Sequence, residues 1–130
     1  MTNPFQDQAD FMHAAAQTVG VHNPDQADLY IRLMVEEFQE ITAADSLENC
    51  LKEMCDLLVV TIGAIHSIGA DPAAVWQAVH ASNMSKLVDG KLVKREDGKV
   101  LKPDTYAPAD LVPIVLAIPG LDLVGGADAQ

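Results

Sequence analysis

Aromatic residues make up only 5% of the 130 positions, and alanine, leucine, valine and methionine fill the gap, a composition that suits close-packed helices. Cysteine is nearly absent. Cys50 and Cys55 are five apart on what reads as one helix, where they point in different directions and cannot meet disulfide geometry. Without His or further Cys at ligand spacing they make no zinc site, so both are expected to be buried free thiols of a reducing compartment. Bases are few: eight Lys and Arg against nineteen Asp and Glu leave a net charge of −11. Affinity for nucleic acid rests on neutralising phosphates with Lys and Arg, so this balance speaks against a nucleic-acid polymer or an anionic membrane as partner. No apolar run approaches the roughly 20 residues that span a bilayer, and residues 1–20 carry no basic-then-apolar leader pattern. A cytoplasmic globular protein is the expectation. With 49% hydrophobic and 21% charged residues the chain is too apolar for disorder, and its length fits one domain, expected over 1–124 with a loose tail at 125–130.

Apolar residues recur at helical spacing over most of the chain. Phe5, Ala9, Met12, Ala16 and Val19 predict a first helix that Gly20 ends. Asn23-Pro24-Asp25-Gln26 is a helix start, with Gln26 placed to close a capping box, and the helix runs to about Ala44. Its broad apolar face holds Leu29, Tyr30, Leu33, Met34, Phe38 and Ile41. Asp45-Ser46-Leu47-Glu48 reads as a second capping box, opening a third helix through Leu57, Leu58, Ile62 and Ile65 to Gly69. Asp71-Pro72 begins a fourth, with Val75, Trp76, Val79 and Met84. The pattern then changes. Asp89-Gly90 and Asp97-Gly98 are turn dipeptides, and a small hairpin or ordered loop is expected between Leu92-Val93 and Val100-Leu101. Pro103, Pro108, Pro113 and Pro119 prevent a long helix beyond, and the apolar stretch Ile114–Val124 calls for burial.

Charge is distributed unevenly. Residues 1–85 hold twelve acids and two bases, Arg32 and Lys52, whereas Lys86, Lys91, Lys94, Arg95, Lys99 and Lys102 crowd into 86–102. On the second helix Glu36 and Glu40 lie one turn apart with Glu37 at the edge; on the third, Glu53 and Asp56 share a face. A short loop makes these helices antiparallel, so Glu40 comes level with Glu53, and Glu36 or Glu37 with Asp56. Five carboxylates then face one small volume, beside the apolar stripe and with almost no bases to pair them. Divalent cations resolve such repulsion, and Mg²⁺ is a hard ion that takes carboxylate oxygens. Asn83 and Lys86, three apart where the basic strip begins, can point at one ligand as an amide and an ammonium. Each feature has a plainer reading: a Glu-rich stretch is usually a solvated face, and N-x-x-K usually a helix end. Phe5, Phe11, Met12, His13, Trp76 and His80 could meet a base, with Met12 and Trp76 preferred, although such residues are more often core. His22 and His66 flank glycine turns and need no functional role.

Glu36-Glu37-Phe38-Gln39-Glu40 followed by Glu53-Met54-Cys55-Asp56 resembles the E-E-x-x-E … E-x-x-D signature of the MazG-like all-α nucleotide pyrophosphohydrolases, with twelve residues between the halves. Asn83-Met84-Ser85-Lys86, Arg95-Glu96-Asp97-Gly98-Lys99-Val100, Lys102-Pro103 and Tyr106-Ala107-Pro108-Ala109-Asp110-Leu111 are similar to runs of the branch related to phosphoribosyl-ATP pyrophosphohydrolase. The resemblance covers about residues 25–112 and implies an all-α, four- to five-helix bundle with a short basic loop or hairpin after the fourth helix. It implies hydrolysis of a (deoxy)nucleoside triphosphate to monophosphate and pyrophosphate, with dUTP and (d)GTP the leading candidates. Glu36, Glu37, Glu40, Glu53 and Asp56 would hold two or three Mg²⁺ or Mn²⁺ ions, with Glu36 or Glu37 orienting or deprotonating water. Lys86 and Asn83, helped by Arg95, Lys99 and Lys102, would hold the phosphates. A homo-oligomer, dimer or dimer-of-dimers tetramer, is implied too, and fits an apolar content high for the chain's length. Two other classes use the same residues: a metal-binding helical bundle without turnover, which has no use for a phosphate grip, and an interaction module with the acids as its rim.

Overall fold

The computed structural model describes residues 2–123 and is all-α apart from one short hairpin. Five helices follow in order: α1 (Pro4–Ala14), α2 (Pro24–Ala43), α3 (Leu47–Ile68), α4 (Pro72–Met84) and, beyond the hairpin, α5 (Val112–Leu116). The expected loose tail at 125–130 lies outside the described residues. Backbone packing divides the chain into two compact units, one of residues 1–72 and 117–130, the other of residues 73–116.

In the first unit α1 starts on Asn3, whose side chain accepts the backbone N–H of Phe5 at 3.0 Å. It stops five residues before the expected end. Ala16 takes a left-handed conformation, φ 58°, and the Gln17 N–H reaches back to the Met12 carbonyl at 2.9 Å. The reason is tertiary. Gln17 accepts the hydroxyl proton of Tyr30, while the Thr18 N–H and carbonyl both bond the Gln26 amide, at 3.0 and 2.7 Å, so the chain must leave the helix to lie on α2. Gln26 therefore closes no capping box: its amide also donates to Ser67 Oγ at 2.8 Å, and the Asn23 N–H goes instead to the Ser67 carbonyl. Asn23 still caps α2, accepting the Gln26 N–H at 3.1 Å. α3 is capped by Ser46, one residue later than the expected box, with its hydroxyl accepting the Asn49 N–H at 3.1 Å. Gly69 ends it in the left-handed region, φ 101°, where a Cβ would lie 2.7 Å from the His22 nitrogen.

Pairs across α2 and α3 run in step and set the register. Gln26 meets Ser67, Tyr30 meets Gly63, and Glu40 meets Glu53, each advance on α2 matched by an equal retreat on α3, as antiparallel neighbours require. Gly63 permits this approach, because a Cβ there would overlap the Tyr30 ring, with Cδ1 at 2.7 Å. Met12, Tyr30, Val60 and Ala64 form the core, with Val19, Leu33, Met34 and Leu57 packed on it. His66 Nε2 bonds the Phe5 carbonyl and His22 Nδ1 the Ile68 carbonyl, both at 2.9 Å, which gives each imidazole a structural task. The expected broad apolar face of α2 is split: Leu33 and Met34 turn to the core, whereas Leu29 and Phe38 are exposed. The cysteines are free, but neither is buried, since Cys50 is half-buried and Cys55 exposed. Among the described residues of the apolar stretch after Ile114, only Ile118 is buried, against Gly69.

The second unit carries α4, the strands β1 (Leu87–Val88) and β2 (Lys91–Leu92), and α5. The strands pair antiparallel, Leu87 with Leu92 and Val88 with Lys91, around Asp89-Gly90, both at positive φ as a tight hairpin turn needs. The regular hairpin thus sits at the first turn dipeptide. The second, Asp97-Gly98, closes a looser loop with a single bridge, Lys94 to Val100. The ordering there is local: Asp97 accepts both the Arg95 guanidinium and the Lys99 N–H.

Candidate functional site

Glu37, Glu40 and Glu53 converge. Each offers a carboxylate oxygen, and the three oxygens lie within 4.8 Å of one another. The α2–α3 register explains the grouping. Glu37 is seven residues, close to two turns, beyond Tyr30, so it shares the face that Tyr30 turns toward α3. Glu36 is rotated about 100° away and is exposed, outside the cluster. Asp56 comes level with Glu37 and acts on it through charge, while its Oδ2 accepts Lys52 Nζ at 2.8 Å. Lys52 also reaches Glu53 Oε1 at 3.3 Å. The sequence suggests that these acids have almost no bases to pair them, yet one lysine on their own helix pairs two of them. The Lys52–Asp56 spacing of four is the sequence signal that would have found one of these pairs.

The cluster is electrostatically loaded. Glu37 Oε2 and Glu53 Oε2 are buried without a hydrogen-bond partner. Loss of solvent first, then the close approach of the Glu53 carboxyl and the charges of Glu40, Asp56 and Glu53, push the Glu37 carboxyl up to about 7. Glu40 is also raised, chiefly by the neighbouring Glu53 carboxyl. Lys52 is held charged well above its ordinary range by Asp56 and then Glu53. Orphaned buried carboxylate oxygens are costly, and a hard divalent cation is the partner that satisfies several at once. The residues therefore fit a metal: Glu37, Glu40 and Glu53 present all-oxygen donors within one ion's reach.

The other expected site residues fall as follows. In the second unit, Lys86 Nζ donates to Asn83 Oδ1 at 3.2 Å, bringing amide and ammonium together. Arg95 is engaged by Asp97, whose carboxyl it holds below the ordinary range. Lys99 is exposed. Lys102 lies over the Tyr106 ring, 5.0 Å from its centroid. Trp76 is 64% exposed on α4. In the first unit Met12 is fully buried at 0% exposure in the core with Tyr30, so it has no surface to offer a base. Among the described residues no single helix is long and apolar enough to cross a membrane.

An all-α chain whose two longest helices gather carboxylates is the architecture of the all-α nucleotide pyrophosphohydrolases. A profile of the family described as phosphoribosyl-ATP pyrophosphohydrolase matches residues 9–83, more than half of the chain, and the protein belongs to this family, within the MazG-like superfamily. No curated protein matches the chain. Membership supports a pyrophosphohydrolase acting on a nucleotide-like substrate, in a family that is typically metal-dependent. The match spans the carboxylate helices and ends at Asn83, so Lys86, Arg95, Lys99, Lys102 and Tyr106 lie beyond it.

Proposed function

We propose that the protein hydrolyses a (deoxy)nucleoside triphosphate to the monophosphate and pyrophosphate with Mg²⁺ or Mn²⁺ held by Glu37, Glu40 and Glu53. The observation that carries the reading is the pair of buried, unpartnered oxygens Glu37 Oε2 and Glu53 Oε2, beside a third carboxylate within 4.8 Å. Asp56 is assigned to the same metal set once Lys52 yields it, and the exposed Glu36 or the cluster's Glu37 to orienting water. When bound, the metal would supply positive charge to offset the triphosphate and make water more acidic. The chain's own residues do the rest. The acids hold their oxygens in place through the α2–α3 register, whichever of Glu36 and Glu37 is left off the metal takes the proton of the attacking water, and Lys86 with Asn83 takes phosphate oxygens, assisted by Lys99 and Lys102. Water adds to phosphorus, the phosphoanhydride bond breaks, and pyrophosphate leaves. Trp76 is the surface proposed for the base.

A second reading, favoured by the family match over residues 9–83, makes phosphoribosyl-ATP the substrate. Pyrophosphate release from a panel of dUTP, dCTP, dGTP, GTP and phosphoribosyl-ATP, with Mg²⁺, Mn²⁺ or EDTA, separates these. Metal-dependent release from a simple triphosphate is the expected result, and release from phosphoribosyl-ATP alone selects the second reading. Metal uptake with no release from any member, or no uptake at all, ends the enzymatic proposal.

The working form is proposed to be a homo-oligomer. Ile31, Val35 and Phe38 on α2 continue into Leu47, Leu51, Met54 and Leu58 on α3, spaced alternately by three and four and exposed, with Phe38 at 59%, Leu51 at 66% and Leu47 at 82%. Two such stripes on antiparallel neighbours match the seam of a four-helix bundle shared with a second copy. Sedimentation velocity should give a dimer or tetramer. A monomer at micromolar concentration sinks this assembly.

A further inference from the structure

We infer that Tyr106 is a positioning residue that gathers Lys86 and Lys102 into a two-ammonium clamp for the distal phosphates, an inference that rests on the phosphate-binding role proposed above. Lys86 Nζ lies 5.8 Å and Lys102 Nζ 5.0 Å from the centroid of the Tyr106 ring. Two flexible ammonium groups repel and would separate in water; the π-system of one ring attracts both and keeps each within about 6 Å of the same centroid. Among the described residues neither lysine is in an ion pair, so their charge is not spent on a carboxylate. An anion with several oxygens, such as a pyrophosphoryl group, is the complement.

The ring is brought there by a staple at the end of α4. Ser85 Oγ accepts the Ala107 N–H at 2.8 Å and donates to the Ser82 carbonyl at 2.6 Å, while Thr105 Oγ1 donates to the Ser85 carbonyl at 3.0 Å. Tyr106 sits between the two residues so pinned, beside Lys86 in spite of the 20 residues separating them. Ser85 thus docks the segment that carries the ring, and Lys86 itself is oriented from its other side by Asn83 Oδ1.

The test is binding of inorganic pyrophosphate to the full chain in EDTA, followed by phosphorus NMR or calorimetry, so that the carboxylates carry no metal. Tyr106→Leu should weaken binding roughly 5- to 20-fold and Tyr106→Phe, which keeps the ring face, should restore it to within about twofold of wild type. Ser85→Ala, which loosens the staple while leaving the ring intact, should weaken it in the same direction. Helical circular dichroism should be unchanged in all three, which separates positioning from folding. If Lys86→Ala loses binding while Tyr106→Leu or Ser85→Ala keeps it, the clamp is wrong and the phosphate-binding role stands. If wild type does not bind, or Lys86→Ala and Lys102→Ala bind as well as wild type, that role falls and the clamp with it.

Discussion

Glu53→Gln is expected to lower turnover at least about a hundredfold and yet to raise the melting temperature of the metal-free protein. Partners one shell removed from a metal already cost 10- to 100-fold when mutated, so removing a charged ligand should cost no less. The stability sign is the diagnostic half. Glu53 sits within 4.8 Å of Glu37 and Glu40, with one oxygen buried and unpartnered. A glutamine removes one of three like charges and can donate its amide protons to the remaining carboxylates. What is lost is the Lys52–Glu53 pair at 3.3 Å, with the lysine 65% exposed, and such pairs contribute about 0–1 kcal/mol. Melting in EDTA and steady-state kinetics with Mg²⁺ check both halves. Near-wild-type turnover, or a lower melting temperature without metal, would mean the carboxylates do not compete for a cation.

The second large effect is a pH-dependent response to metal. Glu37 is held at about 7 in the fold against 4.5 in an ordinary environment. Between these values the folded chain keeps a proton that the unfolded chain has released, so metal-free stability should fall as pH rises from about 4.5 to about 7, and the full penalty persists above that. Below 4.5 both states are protonated and the difference vanishes. A divalent cation displaces that proton and offsets the charge it leaves behind. Saturating Mg²⁺ or Mn²⁺ should therefore raise the melting temperature little near pH 5 and substantially near pH 8. Glu37→Gln should flatten the metal-free profile, which isolates the share of this carboxyl. A metal shift independent of pH, or a metal-free profile rising across the window, contradicts the coupled cluster.

Much of the α2–α3 geometry was legible in advance because it depends on local quantities. A three-residue loop makes the helices antiparallel, and counting from it levels Glu40 with Glu53, as observed, and Glu36 or Glu37 with Asp56. The choice between Glu36 and Glu37 was not legible. It depends on helix rotation, and that is set by Tyr30 seating on Gly63, a contact no spacing rule announces. Nor could the end of α1 be read, because Ala14–Val19 is a passable helical pattern that gives way only when Gln17 and Thr18 find Tyr30 and Gln26. Tyr106 was visible only as part of a motif. Its place beside Lys86 comes from hydrogen bonds spanning about twenty residues.

By itself the sequence determined the helical class, the helix start at Asn23, the start of α3 to within one residue, the stop at Gly69, and the imbalance of charge between the acidic body and the basic strip, since each rests on residues within a turn or two of one another. Tertiary structure decided which acids meet, which lysines gather, and which apolar residues are left facing outward. Those outcomes depend on the rotation of packed helices and on long-range hydrogen bonds, and neither can be reckoned from neighbours along the chain.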